Sequence, residues 1–165
     1  EDYHKRLNSK KLNIDENSVL IVRGCGPVGY PGSAEVINMQ PPDRLLKKGI
    51  NTLPTLGDGR QSGTSASPSI LHVSPESAVG GDLGIVKTGD RIKIDLNKRR
   101  VDLLISQAEF KNRRKKRKKF KINNQTPWQE IFRDTVGQLE DGACIKSRGI
   151  YLKVSTSKGI PRDSH

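Results

Sequence analysis

The stretch "LGIVKTGDRIKIDLNKRRVDLLIS", residues 83–106, carries the clearest β pattern in the chain. It predicts a strand over 83–87, a turn at Thr88-Gly89-Asp90, a strand over 91–96 and, past a turn at Asn97-Lys98, a strand over 101–105. In the middle strand Ile92, Ile94 and Leu96 alternate with Arg91, Lys93 and Asp95, which makes one face apolar and the other polar. Upstream, "SVLIVRG" (18–24) is a short β-branched apolar run and predicts a buried strand. "INTLPTL" (50–56) predicts another, although Pro54 cannot donate to a ladder. "SILHVS" (69–74) is a mixed apolar segment.

Helices fall between and after these strands. "PPDRLLKKG" (41–49) has Pro near its start, lysines in its last turn and Gly49 as a stop. "SPESAVGG" (74–81) predicts one or two turns capped by Ser74, with Pro75 at the first position. Ser106 with Glu109 is a capping-box pattern, as is Thr126 with Gln129. The second of these opens "TPWQEIFRDTVGQL", in which Trp128, Ile131, Phe132, Thr135 and Val136 follow helical spacing and predict a core-facing stripe. Residues 1–17 read as a polar lead-in and 18–165 as the domain. Short strands, few helices and long Gly-rich loops together predict an α/β domain with a mixed, barrel-like sheet flanked by helices.

The chain has 165 residues, 32% of them apolar, enough for one domain with a real core. Its net charge of +12 resembles a nucleic-acid signal, but nine of the Lys and Arg residues lie in "KNRRKKRKKFK" (111–121); without them the balance is +3. Nucleic-acid binding is therefore disfavoured, and a nucleic-acid or acidic-partner binding domain acting through 111–121 stands as the rival function. The two cysteines, Cys25 and Cys144, are far apart and fit neither a disulfide scaffold nor a zinc site. Unpaired thiols predict an intracellular setting, cytoplasmic or organellar. No apolar run is long enough to span a membrane, and the N-terminus has no signal core. The first residue is not Met, which predicts a longer parent polypeptide.

Two loops stand apart. Residues 24–32 hold Gly24, Gly26, Pro27, Gly29, Pro31 and Gly32; residues 57–67 read "GDGRQSGTSAS". Such glycine density lets backbone approach a ligand closely. On residue type alone, Glu35 reads as a surface carboxylate near a helix start, and Ser62 as a turn serine bonded to local backbone.

Three blocks in order, "GPVGYPGSAEV" (26–36), "LGDGRQSGT" (56–64) and "HVSPESAVGGDLGIVKTGDRIKIDLNKRRVDLLIS" (72–106), resemble the C-terminal domain of the dihydroxy-acid, sugar-acid and phosphogluconate dehydratase family. "PWQEIFRDTVGQLEDGA" and the ending "KGIPRDSH" are similar to the sugar-acid branch. The resemblance covers roughly residues 10–165, apart from the basic run.

It implies a swivelling β/β/α domain, and dehydration of a 2,3-dihydroxy carboxylate to a 2-keto acid with Mg²⁺ and an iron–sulfur cluster, 2Fe–2S or 4Fe–4S. The cluster cysteines, most magnesium ligands and a modified lysine would belong to an N-terminal domain, so this chain would not ligate the cluster and would be inactive alone. The resemblance makes Glu35 a Mg²⁺ ligand, suited because a hard cation takes carboxylate oxygen. It makes Ser62 the base for the C2 proton, helped by backbone N–H groups of a Gly-rich turn. Thr64, Arg60 and the terminal His165 become candidate substrate contacts, with Arg60 favoured as a brace on a buried carboxylate. Gly29, Gly32, Gly59 and Gly63 would give the loop backbones room. Cys25 reads as a packing residue and His72 as a packed or surface histidine. The implied partners are a sugar-acid or dihydroxy-acid substrate, the chain's own N-terminal domain and further copies of itself; a non-catalytic homologue is the other alternative. Ser33, Ala34 and Gln61 stand where relatives commonly carry Met, Pro and Met, which leaves the acid's identity open.

Overall fold

The structure is a computed structural model that describes residues 2–35, 39–60, 62, 66–147 and 149. Three short parallel strands form one sheet in the order β1 (Leu20–Val22), β2 (Thr55–Gly57), β3 (Ser69–Ile70). The register pairs Leu20 with Thr55, Val22 with Gly57 and Leu56 with Ile70. A short helix, α2 (Asp43–Leu46), lies in the connection from β1 to β2. The central strand β2 is buried throughout, as the middle of a parallel sheet should be.

The core is assembled from both sides of this sheet's start. Leu7, Ile14, Leu20, Leu45 and Leu53 form one buried cluster, with Tyr3, Leu12, Met39 and Ile50 packed against it. The polar lead-in thus contributes core residues: α1 (Asp2–Arg6) is tied down by the Tyr3 hydroxyl, which donates to the Gln40 carbonyl at 2.5 Å. Leu7 and Ile14 escape notice in the sequence because they sit singly among charged neighbours.

The pattern over 83–106 is kept in part. β4 (Ile92–Asp95) and β5 (Arg100–Leu103) form an antiparallel hairpin, Ile92 opposite Leu103 and Asp95 opposite Arg100. The connecting turn closes with Lys98 N–H on the Asp95 carboxylate at 3.0 Å and with Arg99 in the left-handed region, φ 51°. The first expected strand, 83–87, is instead a 3₁₀ helix over Asp82–Ile85. Leu83 and Ile85 are both buried there, so the burial alternates as in a strand while the backbone bonds run Gly84 N–H to Gly81 O and Val86 N–H to Leu83 O.

Ser74 does not cap a helix. The turn forms later, as a 3₁₀ helix over Ser77–Val79 with Glu76 at its N-cap, and the Glu76 carboxylate is engaged elsewhere. Downstream, both capping boxes start helices: Ser106 Oγ accepts from Glu109 N–H at 3.1 Å for α3 (Gln107–Lys115), and Thr126 Oγ1 from Gln129 N–H at 3.3 Å for α4 (Pro127–Thr135).

Two further expectations are corrected. Among the described residues the sheets are separate and do not close into a barrel. The described strands are two to four residues long and the hairpin shares no ladder with the parallel sheet. The stripe on α4 does not face the core: Trp128 is 77% and Ile131 52% exposed, and Phe132 is partly exposed, while Arg133 and Val136 are buried. No helix of the described residues is long and apolar enough to cross a membrane.

Candidate functional site

β1 and β2 end level with each other, Val22 beside Gly57. Both glycine loops therefore leave from the carboxyl ends of adjacent parallel strands, the edge at which open α/β sheets bind ligands. Close approach requires glycine at Gly57, where a Cβ would lie 2.7 Å from the Val22 carbonyl oxygen. Gly29 is just as constrained, 2.7 Å from the Gly24 carbonyl, and a Cβ at Gly59 would meet the Cys25 Cβ at 2.9 Å. Gly32 has open space around it but a φ of 72°.

Three buried charged groups hold these loops, and none of them was singled out in the sequence. Asp58, fully buried, accepts from Gly24 N–H at 3.0 Å, Cys25 N–H at 3.1 Å and Ser77 N–H at 2.8 Å. Glu76, also fully buried, accepts from Val28 N–H at 2.9 Å and Gly29 N–H at 2.8 Å. Arg133 donates from Nε to the Val28 carbonyl at 2.7 Å and from Nη2 to the Gly29 carbonyl at 3.3 Å. Asp58 lies inside the "GDGRQSG" stretch, and a lone acid among glycines is the signal that could have found it.

The sequence-predicted residues sort as follows. Glu35 and Arg60 come together: Arg60 Nη1 is 3.8 Å from Glu35 Oε1, with both side chains about half exposed. Among the described residues the partner of Arg60 is Glu35, in an exposed pair that contributes little stability and is readily displaced. Ser62 is half-buried beyond Arg60 on the same loop. Gly63, Thr64 and His165 lie outside the described residues. His72 is exposed, and its N–H closes the second loop by donating to the Gly59 carbonyl at 3.1 Å.

Glu35 fits a magnesium ligand: an accessible carboxylate whose exposed pair with Arg60 can be replaced. Among the described residues no group of three or more His, Cys, Asp or Glu converges, so this part of the chain offers carboxylate oxygen rather than a closed metal cage. The cysteines do not fit an iron–sulfur cluster. Cys25 is half-buried, and burial, then the nearby Asp58 charge, push its thiol above the ordinary range, against the thiolate a cluster needs.

The arginines of the basic run are spent on folding. Arg113 donates to Asp90 at 2.5 and 3.0 Å and to Glu109 at 2.6 Å, which raises its own pKa and lowers those of both carboxylates. Arg114 pairs with Asp82 at 2.9 Å and covers the Phe110 ring, and Arg117 donates to the Gly80 carbonyl. The lysines of the run stay exposed. Separately, an apolar groove of about 400 Å³ runs between Pro31-Gly32 and the Trp128, Ile131 and Phe132 face of α4.

Fold and site define a mixed α/β domain that presents two clamped glycine loops at the ends of parallel strands. The chain belongs to the dihydroxy-acid/6-phosphogluconate dehydratase C-terminal family, whose model matches residues 1–143. It is 52% identical over its whole length to the D-xylonate dehydratase of Caulobacter vibrioides, covering 27% of that protein. It is 38% identical to the L-arabinonate dehydratase of Rhizobium leguminosarum bv. trifolii, again over its whole length and 28% of the relative. A dihydroxy-acid dehydratase of Thermodesulfovibrio yellowstonii is 38% identical over 81% of the chain and 24% of the relative. The chain thus spans about a quarter of the length of these relatives.

Proposed function

We propose that this chain is the C-terminal part of a hydro-lyase that dehydrates a sugar acid to its 2-keto acid. What carries the reading is the meeting of Glu35 and Arg60 at the ends of paired parallel strands, in a family whose sugar-acid members match along the whole chain. The swivelling β/β/α architecture, a domain over 18–165, a cluster-bearing N-terminal domain and assembly into a homo-oligomer belong to the same proposal.

In this reading Glu35 supplies one carboxylate to Mg²⁺, with the remaining ligands coming from the N-terminal domain and the substrate. A divalent cation held there would supply Lewis-acid polarisation of the substrate, which makes its C2 proton easier to remove. Ser62, as its alkoxide, takes that proton; the C2–H electron pair forms the C2=C3 bond as the C3–O bond breaks, the proton passes from Ser62 to the departing hydroxide to give water, and the enol tautomerises to the ketone. Arg60, once its pair with Glu35 is displaced, is placed to meet the substrate carboxylate. Thr64 and His165 remain proposed substrate contacts, and the iron–sulfur cluster is assigned to the N-terminal domain.

The test uses the full-length protein and D-xylonate, with 2-keto acid formation as readout. Ser62→Ala is expected to abolish turnover while leaving fold and metal content intact. Normal turnover by that variant would reject the serine base, and absence of dehydration of any aldonate by the wild type would reject the enzyme.

A further inference from the structure

The peptide group joining Val28 to Gly29 lies between two buried charges of opposite sign. Its carbonyl accepts from Arg133 Nε at 2.7 Å, and its N–H donates to Glu76 Oε2 at 2.8 Å. The neighbouring Val28 N–H and Gly29 carbonyl are taken by the same two side chains. Each clamp is itself supported. Gln138 Nε2 donates to Glu76 Oε1 at 3.0 Å, and Gln138 Oε1 accepts from Glu76 N–H at 3.0 Å. Arg133 Nη1 donates to the Asn123 carbonyl at 3.2 Å and to the Asn124 side chain.

A loop that needed only cover could pack against apolar side chains, whereas a buried charge is tolerated only when its bonding is complete. Here the charges do something apolar groups cannot: they set the direction of a peptide. Flipping the 28–29 peptide, easy for a chain with glycine on one side, would put its carbonyl against a carboxylate and its N–H against a guanidinium. The peptide lies inside the turn that Tyr30 N–H closes on Gly26 O, and one further turn, Ser33 N–H to Tyr30 O, follows before the chain reaches Glu35. The direction of that peptide thus sets the start of the segment that leads to Glu35.

We propose that Glu76 and Arg133 are positioning residues for Glu35: by locking the 28–29 peptide in one orientation, they hold that carboxylate where it binds the divalent cation. The inference rests on the reading of Glu35 as a metal ligand. Its test is Mn²⁺ binding to the full-length protein, followed by electron paramagnetic resonance, together with the Mg²⁺ dependence of turnover. Glu76→Gln and Arg133→Lys are expected to weaken Mn²⁺ binding about 10- to 100-fold, as loss of the groups that orient a metal ligand does. The Mg²⁺ needed for half-maximal turnover should rise by the same factor, with kcat restored at high Mg²⁺ and the sugar-acid KM then unchanged. Should those variants not fold, Gln138→Ala, which removes only the support of Glu76 from a half-buried position, is expected to shift Mn²⁺ binding several-fold in the same direction. Unchanged Mn²⁺ affinity in the folded variants, or lost kcat with an unaltered metal dependence, overturns the inference. Glu35→Gln separates the two levels: if it leaves Mn²⁺ binding at the wild-type value, the metal-ligand reading falls, and the positioning role with it.

Discussion

Asp58 and Ser77 are joined twice: the Asp58 carboxylate accepts from the Ser77 backbone N–H at 2.8 Å and from its hydroxyl at 2.5 Å. The same carboxylate takes Gly24 and Cys25 N–H, so one buried side chain ties three separate segments together. Asp58→Ala strands the Cys25 and Ser77 N–H groups, each costing about 1–3 kcal/mol, while Gly24 N–H keeps the Ser77 hydroxyl at 2.9 Å. The expected loss is at least about 2 kcal/mol, read as a lower urea midpoint with an unchanged slope. A variant as stable as wild type would mean that the loops are held by other contacts.

Gly29 and Gly32 lie three positions apart but should fail differently when substituted. A Cβ at Gly29 runs into the Gly24 carbonyl, backbone against backbone, and Gly29→Ala is expected to cost about 1–3 kcal/mol through forced displacement. Gly32→Ala meets no atom and is penalised only for its φ of 72°, about 1–2 kcal/mol. Loop displacement should therefore appear in Gly29→Ala and not in Gly32→Ala, and amide chemical shifts of residues 24–29 would tell the two apart.

Stability should fall in acid through Asp90. The Arg113 guanidinium, and after it the Lys87 N–H, hold this carboxyl below the usual carboxylate range. In the window between that lowered value and the unfolded value near about 4, the unfolded chain binds more protons. Stability therefore rises with pH across the window, is complete above it, and is lost as pH falls through the folded value. Glu109, lowered by the same arginine, adds with the same sign. Asp90→Ala leaves Arg113 with Glu109 and the Ile85 carbonyl as its partners and should lower stability at neutral pH. Denaturation midpoints at pH 3, 5 and 7 should show a weaker acid dependence in the variant; identical profiles would rule Asp90 out as the acid-sensitive group.

Trp128 is the chain's one tryptophan and stands 77% exposed on α4. In the isolated 165-residue chain its emission should resemble that of indole in water and be quenched freely by acrylamide. A blue-shifted, protected emission would show that the α4 face is covered. The burial of Val136, at the C-cap about two turns away, shows that α4 is anchored at its end and along the Arg133 side, not along Trp128, Ile131 and Phe132.

Local chemistry was legible in the residues. Ser106 and Thr126 cap α3 and α4 as their spacing predicts, and the alternation of Ile92 and Ile94 yields a hairpin with the expected turn. Such features depend on neighbours two to four positions away. The stretch 83–87 misled because Leu83-Gly84-Ile85 buries alternate residues in a 3₁₀ turn as a strand would. The α4 stripe misled because helical spacing reports an amphipathic surface without saying what the apolar side meets.

At the site, the sequence pointed to Glu35, Arg60 and Ser62 through a resemblance carried by their loops, and to glycines whose close contacts explain them. It was silent on Glu76 and Arg133, which act on Val28 across 48 and 105 positions.

Caps, turns, the hairpin and the family are therefore written in short stretches of this chain. The parallel pairing of β1 with β2, the burial of Asp58, Glu76 and Arg133, and the meeting of Glu35 with Arg60 are decided only by tertiary structure. The physical reason is that a charged side chain is neither buried nor exposed by type. It is buried where distant backbone donors or acceptors complete its bonding, and those partners exist only once the loops have closed around it.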